Sequence, residues 1–245
     1  MQLEATFEAL FEKLSGMENP EAKNLLGALK EVKDSVKVIE GLEDVSNSTY
    51  VIQPLKVWTD GKIGIYTDKD EKAVFGNSVN FYVLKLFTYR VIYDLDQKKI
   101  IQRVYDNNFE IPKKDNIAIY QVRSFFCLTE DLKHFFIFEG VRSKIDIAKE
   151  LEDALKVAVK GKTATYDVIV SMKSVKKKVK SGEFWTVKTE IVGDTKEEVK
   201  PILKIAKGFI DDYIMYRKER KIVLAEPEQQ ETEQNGTEES LSEMY

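Results

Sequence analysis

Seven lysines fall between residues 160 and 180, at positions 160, 162, 173, 176, 177, 178 and 180, against a single acid, Asp167. Phe184 and Trp185 follow a few residues later. Phosphates need cations that track a backbone, and unstacked bases need flat π surfaces. A lysine-rich turn beside aromatic rings supplies both. The plainer reading is a solvated hairpin tip whose lysines discourage edge-to-edge pairing. A second group lies on predicted strands, where Tyr89 and Arg90 share a neighbourhood with Arg103, Tyr105 and Arg123. Arginine and aromatic residues interleaved across adjacent strands are what a base-stacking sheet needs, although aromatic strands are also ordinary core strands. Trp58, with Lys62 across the turn at Asp60-Gly61, is a third case. The candidate nucleic-acid contacts are therefore Lys173, Lys176, Lys177, Lys178, Lys180, Trp185, Tyr89, Arg90, Arg103, Tyr105, Arg123, Trp58 and Lys62.

Catalytic chemistry has little support. His134 is the sole histidine, in a run of Phe and Ile, and no acid or hydroxyl partner is implied by spacing. Cys127 follows Phe125-Phe126 and reads as a small buried hydrophobe. One cysteine excludes an intramolecular disulfide, and one Cys with one His excludes zinc sites of four cysteines or of two and two. Asp94 with Asp96, and Asp68, Asp70 and Glu71, lack the ligand spacing of a calcium loop and read as turn residues. Neither a Walker A sequence nor a dinucleotide-binding glycine pattern occurs. The expectation is a non-enzymatic protein with no cofactor and no metal.

The elements that must position these residues follow from periodicity. Leu3, Phe7, Leu10, Phe11 and Leu14 predict an amphipathic helix over 3–14. Asn19-Pro20 predicts the start of a second, with a good cap followed by proline at the first position. From Thr49 the period changes to two, with strands predicted at 50–58, 61–66, 79–93, 98–105, 117–128 and 134–139. In the strand 79–93, one face reads Phe81, Val83, Lys85, Phe87, Tyr89, Val91, Tyr93. A helix is expected at 144–159, with Ser143 and Asp146 as a capping box and Gly161 closing it. Strands 165–175 and 183–192 then form a hairpin around a lysine-rich turn. A last helix starts near Asp194-Thr195 and runs to about Lys221, with Pro201 kinking it or marking a later start. The predicted class is α+β: an antiparallel β-barrel, OB-like and elaborated, with an N-terminal helical pair and a long C-terminal helix. A β-sandwich with flanking helices is the alternative.

Charge divides the chain unevenly. Seven of its 42 acidic residues fall between Glu226 and Tyr245, where Lys and Arg are absent; the remainder carries 35 acidic against 38 basic residues. The tail is polar enough to be expected disordered, yet it ends in Leu241, Met244 and Tyr245. The organisation expected is a helical segment at 1–46, a β-rich nucleic-acid-binding body at 47–224 and an acidic tail at 225–245. No apolar run approaches the roughly 20 residues that cross a bilayer, and residues 1–16 lack a signal peptide's basic start. No membrane association and a cytoplasmic setting, that of the host cell if phage-encoded, are expected.

A β-rich body, a basic hairpin and an acidic tail ending in an aromatic residue together resemble the phage single-stranded-DNA-binding proteins with an OB fold. The family's terminal residue is commonly Phe, where this chain has Tyr245. The resemblance implies a protein that binds and protects single-stranded DNA during replication or recombination. It also implies a tail that competes with DNA and recruits replication proteins through Leu241, Met244 and Tyr245. A scaffold protein assembling through its N-terminal helices is the first rival, and a metal-dependent enzyme the second. Oligomeric state is left open, a homodimer among the options.

Overall fold

The computed structural model describes residues 2–37, 49–50, 52, 56–57, 65–66, 77–104, 116–140, 144–179 and 182–219. Two helices open the chain, α1 (Gln2–Ser15) and α2 (Pro20–Asp34). Asn19 caps α2 as its sequence predicts, its side-chain oxygen accepting from the Ala22 N–H at 2.9 Å. Four two-residue strands follow: β1 (Val36–Lys37) pairs with β2 (Thr49–Tyr50), and β3 (Lys56–Val57) with β4 (Ile65–Tyr66). The rest of the predicted strands 50–58 and 61–66 lies outside the described residues.

The main sheet is built on β5 (Ser78–Asp94), with β6 (Lys99–Val104), β7 (Ile117–Thr129) and β8 (Phe135–Gly140). Helix α3 (Ile145–Ala158) and a 3-10 turn (Thr165–Asp167) lead to β9 (Val168–Val179) and β10 (Gly182–Asp194), and α4 (Lys200–Glu219) closes the described chain. Strand order is β10-β9-β5-β7-β8, all antiparallel, with β6 against the far end of β5. The described sheet is open: β10 and β8 are its outer strands and do not meet. The expected barrel is therefore not closed among the described residues. The mixed α+β class with an antiparallel sheet stands.

Both faces of this sheet are covered, which explains why its central strands read as apolar runs rather than as clean alternation. On one face α1, α2 and α4 pack Phe7, Leu25, Leu29, Leu203, Phe209 and Tyr213 against Tyr82, Leu84, Phe126, Leu128, Phe135 and Ile137. The N-terminal helices thus share one core with the sheet and α4. On the other face α3 packs Ala148, Leu151 and Leu155 against Phe81, Val83, Phe125, Cys127, Phe136 and Phe138. Cys127 is fully buried, and burial pushes its thiol well above the usual range.

A register shift between Val83 and Lys85 interrupts β5. An extra residue in one strand reverses which face the following side chains reach. Phe81 and Val83 pack toward α3, whereas Lys85 pairs with Asp211 of α4 at 3.0 Å. The uninterrupted alternation expected through residues 79–93 is corrected accordingly: Lys85, Phe87 and Tyr89 lie on the α4 side.

Three helix boundaries refine the expectations. The N-cap of α3 is Lys144 with no side-chain cap bond, and Ser143 of the expected capping box lies outside the described residues. Gly161 takes φ +85° just past α3, as a helix-closing glycine does. Helix α4 begins at Lys200, so Pro201 occupies the first turn, where its missing N–H costs nothing. Among the described residues no helix is long and apolar enough to cross a membrane.

Gly140 ends β8 where α3 crosses it, and a Cβ there would lie 2.0 Å from the Ala148 Cβ. Gly140→Ala is expected to destabilise the fold by about 1–3 kcal/mol through overpacking. Chemical denaturation would show it as a lower midpoint at unchanged slope.

Candidate nucleic-acid interface

Strand β9 pairs with β5 only from Val170 to Lys173, and the Ser174 N–H reaches the Asn77 carbonyl at 2.9 Å. Beyond that point β9 and β10 continue, among the described residues, as a two-stranded arm, paired residue for residue out to Val179 opposite Gly182. The lysine run belongs to this arm. Lys176 stands opposite Trp185, Lys177 opposite Phe184 and Lys178 opposite Glu183. The lysine-rich turn expected at these positions is thus a strand as far as Val179. Cross-strand pairing extends the ribbon where sequence periodicity shows no alternation.

Lys173, Lys176 and Lys178 are exposed. Residues two apart on a strand share a side and lie about 6.6 Å apart, so Lys176 and Lys178 form a short ladder of positive charge. Lys173 bonds Glu190 across the arm, and that bond, with the Lys173 charge, holds the Glu190 carboxyl below its usual range. The backbones of Lys177 and Trp185 are placed in the arm; their side chains, and Lys180, lie outside the described residues. Lys188, also exposed, stands opposite Lys173; no other basic residue accompanies it in β10, so no charge cluster marks it in the sequence.

The second group does not form a stacking surface. Tyr89 is 3% exposed, and its hydroxyl donates to Glu139 at 2.8 Å, an oxygen that also accepts from Ser124 at 2.9 Å. Burial and the neighbouring Glu139 carboxylate push the Tyr89 phenol above its usual range. Arg103, opposite Val91, shares the Tyr89 side of the sheet. Arg90 and Arg123 lie on the other side, toward α3. Arg123 is held by Glu152 of α3 at 2.8 Å, and Lys156 binds the other oxygen at 2.7 Å. Hydrogen bonds from Lys156 and Arg123 keep the Glu152 carboxyl below its usual range. Tyr89 and Arg103 thus lie on one face of the sheet and Arg90 and Arg123 on the other, and Tyr89 is sealed inside its face, so the four do not make one base-stacking surface. Trp58, Lys62, Tyr105, Leu241, Met244 and Tyr245 lie outside the described residues.

Beneath the last turn of α4 a small recess is lined by Phe87, Tyr89, Ser124, Phe126, Ile214 and Arg217. Nothing in local sequence pairs Tyr89 with Glu139, fifty residues on, and this buried network went unread. Of the carboxylates weighed for metal, Asp94 Oδ1 accepts from the Asp96 and Gln97 N–H groups and so holds a turn; Asp68, Asp70 and Glu71 lie outside the described residues. Among the described residues no three His, Cys, Asp or Glu side chains cluster closely enough to hold a metal.

His134 sits at the turn between β7 and β8, its Nδ1 3.0 Å from Glu31 of α2. The hydrogen bond to Glu31 raises the imidazole above its usual value against the opposing effect of burial. A group raised by folding stabilises the fold fully below its unfolded pKa, about 6.5, and loses that contribution as pH rises through the folded value. The chain's one histidine makes the check direct: its NMR titration midpoint is expected above about 6.5, falling in Glu31→Gln.

Comparison with protein families, with curated proteins and with solved structures finds no match to this chain.

Proposed function

We propose that the chain binds single-stranded DNA without catalysing a reaction, in the manner of the phage proteins with an OB fold that it resembles, during replication or recombination. The observation that carries the reading is the β9–β10 arm, which leaves the sheet and carries exposed Lys176 and Lys178. A two-stranded ribbon is marginal in water without further packing. The contacts proposed are Lys173, Lys176, Lys177, Lys178, Lys180 and Trp185, with Lys188 added from the structure. Arg90, Arg103 and Arg123 flank the sheet further away, and Tyr89 is not among the contacts. An OB-like barrel is not required by this reading, since the arm alone supplies the cations.

The acidic tail enters the same proposal. A polyanion tethered to a body of net positive charge has a high effective concentration at any basic surface it reaches. It competes with DNA there, and Leu241, Met244 and Tyr245 give replication proteins an apolar handle. Truncation after Leu224, followed by titration with a labelled single-stranded oligonucleotide at low salt, tests both halves. Tighter binding by the truncated chain is the expected result. Failure of both chains to bind rejects the function, and equal binding by both rejects the competition alone.

A further inference from the structure

Strand β10 is an outer strand of the sheet, paired on one side to β9 and on the other to nothing among the described residues. Its middle carries an arrangement that one copy of the chain leaves unbalanced. Lys188 stands directly opposite Lys173, and like charges facing each other across a strand pair are destabilising. A single glutamate, Glu190, lies diagonal to the pair, and its carboxylate sits on Lys173. Lys188 and Glu190 lie two residues apart and so share a face of the sheet, while Val187 and Ile191 alternate onto the face packed toward α3.

We infer that β10 pairs antiparallel with β10 of a second copy, about a two-fold axis through Thr189. In that register Lys188 faces Glu190 of the second copy, and Glu190 faces Lys188 of the second copy. Val187 meets Ile191 of the second copy in the same way on the other face. The arrangement is self-complementary, as a two-fold contact requires. Charge selects the register. An axis through position 188 sets Lys188 against itself, and an axis through 190 sets Glu190 against itself. The irregularity between Ile191 and Gly193 ends the straight part of the edge, so pairing spans residues 187–191. Five residues a side bury far less than a standard stable interface. The dimer is therefore weak and depends on concentration. The two-fold axis sends the two arms in opposite directions, so Lys176 and Lys178 lie outside the seam while Lys188 lies within it, and the inference stands without the nucleic-acid reading.

Sedimentation of the full chain across a wide concentration range is the test, with charge swaps at the edge. The wild type is expected to pass from monomer to dimer as concentration rises. Lys188→Glu and Glu190→Lys should each weaken dimerisation about tenfold or more, since each replaces two attractive pairs by two repulsive ones. The double variant, Lys188→Glu with Glu190→Lys, restores both pairs and should return the dissociation constant to within about threefold of wild type. Lys188→Glu also puts a glutamate opposite Lys173, so its fold should be at least as stable as wild type, separating loss of the dimer from loss of the fold. A chain that stays monomeric throughout, single swaps that leave the dimer intact, or a double swap that fails to restore it would each overturn the inference.

Discussion

Replacing Lys176, Lys177 and Lys178 together by alanine is expected to weaken single-stranded DNA binding at low salt by about tenfold or more. The loss should carry a specific signature. Each phosphate neutralised on a single strand contributes about 0.7 to the log–log salt slope, so losing three cations flattens it by about 2. These positions lie on the arm beyond the last residue that β5 pairs, and Lys176 and Lys178 are exposed. Stability should change by less than about 0.5 kcal/mol per substitution, leaving the melting temperature nearly fixed. Unchanged affinity and slope would mean that the arm's lysines serve only to keep a sheet edge solvated.

The largest effect on stability is expected at Phe209. Its ring, 1% exposed, lies 5.3 Å from Phe7 of α1, 5.4 Å from Phe135 of β8 and 6.2 Å from Tyr213 one turn on. It therefore joins the N-terminal helices, the sheet and α4 at one point. Phe209→Ala removes the ring and leaves a cavity bounded by three elements that cannot all close on it. The expected cost is about 3–5 kcal/mol, a large share of the 5–15 kcal/mol that typically holds a domain. Met215→Ala, on the exposed side of the same helix, is the control and should change stability by less than about 0.5 kcal/mol. Comparable losses at the two positions in urea unfolding would contradict the placement of the core.

What was legible in the sequence was local. Asn19-Pro20 announces α2 because a cap and a proline act within one turn of chain. The stripe of α1, with Leu3, Phe7 and Leu14 buried, is read directly from helical spacing. The apolar run from Phe135 to Phe138 signals a strand buried on both faces, which the helices on either side explain. What was illegible depended on distant partners. The shift at Leu84 exchanges the faces of everything after it in β5, and no residue there marks it. Tyr89 is buried because Glu139 and the end of α4 close over it. The run Lys176 to Lys178 is strand because β10 returns beside it, and lysines alone carry no alternation to reveal that. Alternation shows which residues of one strand share a face, but which arginines of neighbouring strands share it depends on register, which no local pattern fixes.

The central claim is preference for single strands, and fluorescence anisotropy with labelled single-stranded and duplex oligonucleotides of equal length, across a salt series, tests it most directly. The account predicts tighter binding to the single strand at every salt concentration, little dependence on base sequence, and affinity that falls linearly on a log–log scale. Equal affinity for duplex and single strand, or no binding to either at low salt, would contradict it.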